Sequence, residues 1–285
     1  MTFRLQVEQI RPRALRCAMD LMLFCVLFGA LSPIQTLVAQ TREVPRASDS
    51  LTAAKKYTHC MTLARVNPKK AISVAAAWER VGGEDGARHC YAVALLNAGA
   101  YEEAARRLEF LAANSSRPNK RLRAGLLSQA GQAWLIAGKT TEALSAQTHA
   151  LNVGGPRIEL LLDRAITRAS IRQYWEAIDD LNQAIDQDSG RVDALVFRAV
   201  AWRNLKNLDL AEDDIARAVE LAPGNLETLL ERGNILSFRG DTVAAAADWN
   251  RIIALDAKSP AAKAARDNLA KQKPTAKNNL ADRYR

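Results

Sequence analysis

The sequence predicts an all-α fold, an α-α superhelix (solenoid) built from helical hairpins, on three observations. A 34-residue register recurs in units beginning at Ala124, Ile158, Val192 and Leu226, with a fifth at Asp85 once a five-residue insertion, Asn119 to Arg123, is allowed. Slot 8 of every unit is small (Ala92, Gly131, Ala165, Ala199, Gly233), and slot 20 is always alanine (Ala104, Ala143, Ala177, Ala211, Ala245). Segments such as DALVFRAVAWRNL place apolar residues at helical spacing, and no alternating strand pattern follows the first forty residues. With 48% hydrophobic residues, 14 Gly and 9 Pro in 285, the chain is too apolar for disorder and too poor in Gly and Pro for a fibre.

Taken in order, residues 1–39 read as an export signal. Arg4, Arg11, Arg13 and Arg16 precede an uncharged run from Leu21 to Gln40, whose first half, LMLFCVLFGA, is almost wholly apolar. Cleavage after Ala39 is one reading and an uncleaved N-terminal anchor the other, since such a run just spans a bilayer. The chain is therefore expected in the periplasm or cell envelope, with a membrane as partner only if that segment is not cleaved. The formal charge of +9 becomes +7 without residues 1–39, with 36 Lys and Arg against 29 acids. Peptidoglycan, another anionic envelope polymer, anionic lipid or an acidic protein surface then suits the basic balance, and nucleic acid does not.

Residues 50–84 form a candidate capping hairpin, in which Pro68 opens the second helix and Gly82-Gly83 close it. Ala71 takes slot 20 there, but His59 at slot 8 and Thr62 at slot 11 diverge from the pattern. Residues 85–259 carry the five repeats. Slot 11 holds Leu95, Trp134, Arg168, Trp202 and Leu236, and slot 27 holds Leu111, Ala150, Ala184, Ala218 and Ile252, so Arg168 alone is out of character. Gly99, Gly138 and Gly240 stand at slot 15, where one helix must turn left-handed before the next begins. Small residues at slots 8 and 20 let paired helices approach while larger ones fill the space between units. Residues 260–271, with Ala262, Ala265, Leu269 and Ala270 on one side, suit a terminal capping helix, and 272–285 a flexible basic tail.

Small slot 8, large slot 11 and Ala at slot 20 resemble the tetratricopeptide repeat family over residues 85–259. That resemblance implies a non-catalytic scaffold or adaptor that holds a protein or peptide in a concave groove lined by first helices at slots 5, 9, 12 and 13. The groove candidates are then Leu162, Ile166, Val196, Val200, Arg203, Asn204, Leu230, Asn234 and Phe238. Their apolar members form a stripe suited to an amphipathic helix or an extended apolar peptide. Packing between stacked units is the other reading of Leu162, Val196 and Leu230. Family members that bind chaperone C-termini use Lys at slot 5 and Asn at slot 9, which only Asn234 matches, so that mode is not expected.

Cys17 and Cys25 fall in the export segment, leaving Cys60 and Cys90 in an oxidising compartment. A disulfide between neighbouring first helices is the natural reading, with two separate buried thiols as the alternative. Each cysteine follows a histidine, but adjacent helical residues diverge by about 100°, so facing cysteines would send His59 and His89 elsewhere and no metal is expected. Gly138-Lys139-Thr140 lacks the earlier glycine and the strand of a phosphate-binding loop, so no cofactor is expected. Arg117, Lys120, Arg121 and Arg123 are four cations in seven residues, either a solvated helix start or a patch for an anionic polymer, lipid headgroup or acidic partner. The alternative function is accordingly a basic envelope-binding module. Asp179-Asp180 and Glu212 to Asp214 are expected on solvated second-helix faces, and no catalytic motif occurs.

Overall fold

The computed structural model describes residues 47–116 and 119–272, which hold thirteen α-helices and, among the described residues, no strand. The export segment, residues 273–285 of the tail and Arg117 lie outside them. The helices fall into two units that meet in sequence at Gly155 and Pro156. The N-terminal unit comprises α1 (Ala47–Val66), α2 (Pro68–Arg80), α3 (Glu84–Ala98), α4 (Tyr101–Asn114), α5 (Lys120–Ile136) and α6 (Thr140–Gly154). The C-terminal unit comprises α7 (Ile158–Ser170), α8 (Tyr174–Gln187), α9 (Val192–Asn204), α10 (Leu208–Leu221), α11 (Leu226–Arg239), α12 (Thr242–Leu255) and α13 (Pro260–Gln272).

In the N-terminal unit, α2 starts where its sequence says it should. Pro68 occupies the first turn, where a missing N–H costs nothing, and Asn67 Oδ1 accepts from the Lys70 amide at 3.1 Å. Cys60 and Ala64 of α1 face inward beside Ala71 and Ala75 of α2 and Cys90, Val93 and Ala94 of α3. His59 and Thr62 point outward, so α1 buries a neighbouring face in place of the slots that the repeats bury. An alanine-rich interface removes little apolar surface per helix, and the pairing of Cys60 with Cys90, Cα atoms 6.1 Å apart, adds a covalent tie.

Within the repeats of both units, the alanines of slot 20 are fully buried. Slot 8 lies against slot 24 of the same hairpin: a Cβ on Gly233 would stand 2.5 Å from Trp249 Nε1, so the indole requires the glycine. At slot 15 all five repeats turn left-handed, through Gly99 (φ 85°), Gly138 (φ 78°) and Gly240 (φ 91°), but also through Arg172 (φ 65°) and Lys206 (φ 68°), which carry a Cβ into a region that penalises it. The C-terminal unit ends with α13, whose Ala261, Ala262, Ala264 and Ala265 cover Leu229, Leu230, Trp249 and Ile252. Ala270, expected on this face, is exposed. The helix has turned its last turn to solvent, and Ala261 and Ala264 complete the stripe.

Candidate interaction surface

The C-terminal unit is held together by a polar ladder as well as an apolar core. Arg164 donates from Nε and Nη2 to Asp180 at 2.9 and 2.6 Å, Arg198 to Asp214 at 2.8 and 2.6 Å, and Arg232 to Asp248 at 2.7 and 2.5 Å. These are slots 7 and 23 of successive repeats. Asp248, chiefly through those hydrogen bonds, raises the Arg232 pKa further above its ordinary range. Arg168, the exception at slot 11, joins the ladder by donating to Asp180 at 2.7 Å and to the Glu176 carbonyl at 2.9 Å. The expectation of solvated acidic faces is thus corrected: Asp179 and Asp213 are exposed, but Asp180 and Asp214, one residue on, turn inward and are buried. Adjacent helical residues point about 100° apart, which is enough to separate the two environments.

The apolar stripe expected to line a groove is core. Leu162 is 6% exposed, Val196 3% and Val200 1%, with Ile166 and Leu230 also buried. Arg203 is buried and donates to Glu231 at 2.5 Å, Asn234 donates to the same carboxylate at 3.1 Å, and Asn268 of α13 donates to Asn234 at 2.9 Å. Asn204 donates to the Val200 carbonyl at 2.7 Å and accepts from the Tyr174 hydroxyl at 3.2 Å. Of the nine candidates, Phe238 alone is exposed, at 53%. Its ring lies 5.2 Å from the Arg203 guanidinium and 4.7 Å from Lys206 Nζ. Trp175, 58% exposed, stands edge-on at 5.5 Å to Trp202, the chain neighbour of Arg203. Arg172 and Lys206, the two strained turn residues, are exposed beside these rings in sequence. This edge, with Trp175 and Phe238 as its apolar members, is where the unit presents aromatic surface to solvent. Nothing in the repeat pattern marks Trp175 as outward.

In the N-terminal unit, Lys120, Arg121 and Arg123 are exposed on the first turn of α5, whose end is capped by Asn119 Oδ1 accepting from the Arg121 and Leu122 amides. Arg123 reaches the His149 ring at 3.2 Å. His89 is buried between Tyr57, 2.7 Å from Nδ1, and Gln129 Oε1, 3.2 Å from Nε2. Since Gln129 Oε1 only accepts, Nε2 carries the hydrogen and Nδ1 accepts from Tyr57. Burial lowers the His89 pKa, against a smaller opposing effect of the Gln129 hydrogen bond, and raises that of Tyr57 to about 12. His59 is exposed on α1, so the two His-Cys pairs converge through their sulfurs and not through their rings.

Paired antiparallel helices repeated at a constant interval, with small residues at the crossing points, define a helical-repeat solenoid of the tetratricopeptide type. No protein-family profile and no curated protein matches the sequence. The fold recurs in MamA from Desulfovibrio magneticus RS-1, with TM-score 0.52 and 18% identity over 61% of this chain and 96% of that one. A double mutant of the RS-1 MamA gives TM-score 0.52 and 19% identity over 60% and 94%. A tetratricopeptide repeat protein from Parabacteroides merdae gives TM-score 0.51 and 22% identity over 62% of this chain and 68% of that chain. At these identities the likeness establishes the fold.

Proposed function

We propose that this protein is a non-catalytic scaffold of the cell envelope that docks a protein partner along the exposed aromatic edge of its C-terminal unit. The observation that carries the reading is Phe238, half exposed against two cations on a unit whose other large groove candidates are sealed. An aromatic or apolar side chain on the partner would cover Phe238 and Trp175, and a neighbouring carboxylate would meet Arg172 or Lys206. The ladder carboxylates are already neutralised by arginine, which suits a structural role better than acid-base chemistry. An envelope location is supported by the charge and hydropathy layout of residues 1–39 and by the approach of Cys60 to Cys90, which suits an oxidising compartment.

Photo-crosslinking residues placed at Phe238 and Trp175 in intact cells should trap the same protein. Arg217 and Glu220, exposed on α10, serve as controls and should trap nothing. Equal crosslinking at all four positions, or none at any, would sink the proposal. The exposed cations Lys120, Arg121 and Arg123 support a second reading, attachment to an anionic envelope polymer, whose signature is binding that falls steeply with ionic strength.

A further inference from the structure

We propose that the first hairpin, α1 with α2, is a docking surface for an anionic lipid membrane. Between Asp49 and Glu79 the chain contains no acidic residue and five cations, Lys55, Lys56, Arg65, Lys69 and Lys70. All five are exposed, and among the described residues none is in an ion pair. Three arginines elsewhere in the same unit do find a carboxylate close by: Arg106 pairs with Glu102, Arg107 with Glu103 and Arg88 with Glu79. The hairpin leaves its charge unmasked.

The placement of these cations works against local stability. Lys69 and Lys70 sit in the first turn of α2, where the aligned peptide dipoles are already positive and an acid would be favourable. Arg65 and Val66 end α1 just before them, across Asn67. Along α1, Lys55, His59, Thr62 and Val66 recur at helical spacing and are all exposed, so they form one outward face. On the opposite side Cys60, tied to Cys90, and Ala64 hold α1 against α3. The cations are thus carried on a fixed support.

Val66 decides the kind of anion. Its side chain, at the hairpin turn between Arg65 and Lys69, is 76% exposed. Arg65, Lys69 and Lys70 beside a bare apolar tip, with Lys55 farther along the same outward face of α1, match the headgroup boundary of a bilayer, which offers phosphates to the cationic groups and an acyl edge to the isopropyl group. A hydrated anionic polymer offers only the first. Attachment through this hairpin needs no apolar anchor, and it is independent of the partner edge on the C-terminal unit.

The test compares full-length protein on vesicles of phosphatidylcholine alone with vesicles containing phosphatidylglycerol as well. Any apolar N-terminal segment partitions into both, so the difference isolates the electrostatic part. Wild type should prefer the anionic vesicles and lose that preference as salt rises. Lys55→Gln, Lys56→Gln, Lys69→Gln and Lys70→Gln together should lower anionic-vesicle binding by about a hundredfold or more, at roughly fivefold per cation. A matched variant at Lys258, Lys263, Arg266 and Lys271 should bind as wild type does, and circular dichroism checks that both remain helical. No preference for phosphatidylglycerol in the wild type, or its retention in the first variant, overturns the proposal. Equally tight binding to soluble peptidoglycan fragments, unchanged by Val66→Ser, overturns it in favour of a polymer.

Discussion

Arg198 and Asp214, sixteen residues apart on α9 and α10, meet through two parallel hydrogen bonds of 2.8 and 2.6 Å. The next repeat on either side repeats the pair, as Arg164 with Asp180 and Arg232 with Asp248. In the N-terminal unit the same slots hold Tyr91 and Arg107, whose guanidinium lies 4.0 Å over the ring, and then the buried pair of positions Ala130 and Ala146. One contact point between paired helices is therefore filled by three chemistries. The bidentate pair dominates where both helices carry charge.

Removing one member of such a pair strands the other. Asp214→Ala should destabilise the C-terminal unit by about 3 kcal/mol, whereas Arg198→Met with Asp214→Leu should cost far less, because no buried charge is left behind. Urea melts of the single and double variants separate these outcomes, and equal losses would mean that the attraction itself is the larger effect.

Arg172 and Lys206 occupy left-handed backbone that Gly99, Gly138 and Gly240 occupy in the other repeats. Arg172→Gly and Lys206→Gly should each raise stability by about 1 kcal/mol, relief of the Cβ clash outweighing the added freedom of the unfolded chain. If partner binding uses these side chains, the stabilised proteins should bind more weakly, a trade visible by measuring melting temperature and crosslinking yield on the same samples.

Gln147 occupies slot 24, where the other repeats have Leu108, Leu181, Ile215 and Trp249, and both polar atoms of its amide are buried without a hydrogen-bond partner. Gln147→Met keeps the unbranched shape that fits beside Gly131 and removes the unsatisfied amide. The substitution should stabilise the N-terminal unit by about 1 to 2 kcal/mol in denaturant melts. A loss of stability would indicate a water-filled site around the amide.

Burial holds the His89 imidazole below its ordinary value of about 6.5, so the folded chain resists a proton that the unfolded chain accepts. The corresponding stability is complete above about pH 6.5 and is lost as pH falls from there toward the lowered folded value, at up to about 1.4 kcal/mol per pH unit. Thermal melts between about pH 7 and pH 5 should show this slope in the wild type. In His89→Phe the slope should flatten, because the buried imidazole that resists the proton is gone.

The hairpins were legible because slots 8 and 20 recur as small residues at a fixed interval, and close helix packing leaves little choice there. The arginine ladder was equally present, with Arg164, Arg198 and Arg232 and their aspartates all spaced by the repeat, but a charge on a helix reads as surface unless its partner is sought on the other helix. Spacing also does not reveal how much of a first helix the next unit covers. Val196 and Phe238 look alike as apolar residues at groove slots, yet burial separates them, 3% against 53% exposed. Only the packing of neighbouring hairpins decides that.

The account rests on the stripe being core and the aromatic edge being surface, and thiol labelling tests both at once. Val200→Cys and Phe238→Cys, each in otherwise native protein, would be exposed to a maleimide without denaturant. The account predicts rapid modification at position 238 and protection at position 200 until the unit unfolds. Labelling of the cysteine at 200 at a rate comparable with that at 238, in protein with full helical signal, would show an open groove and contradict it.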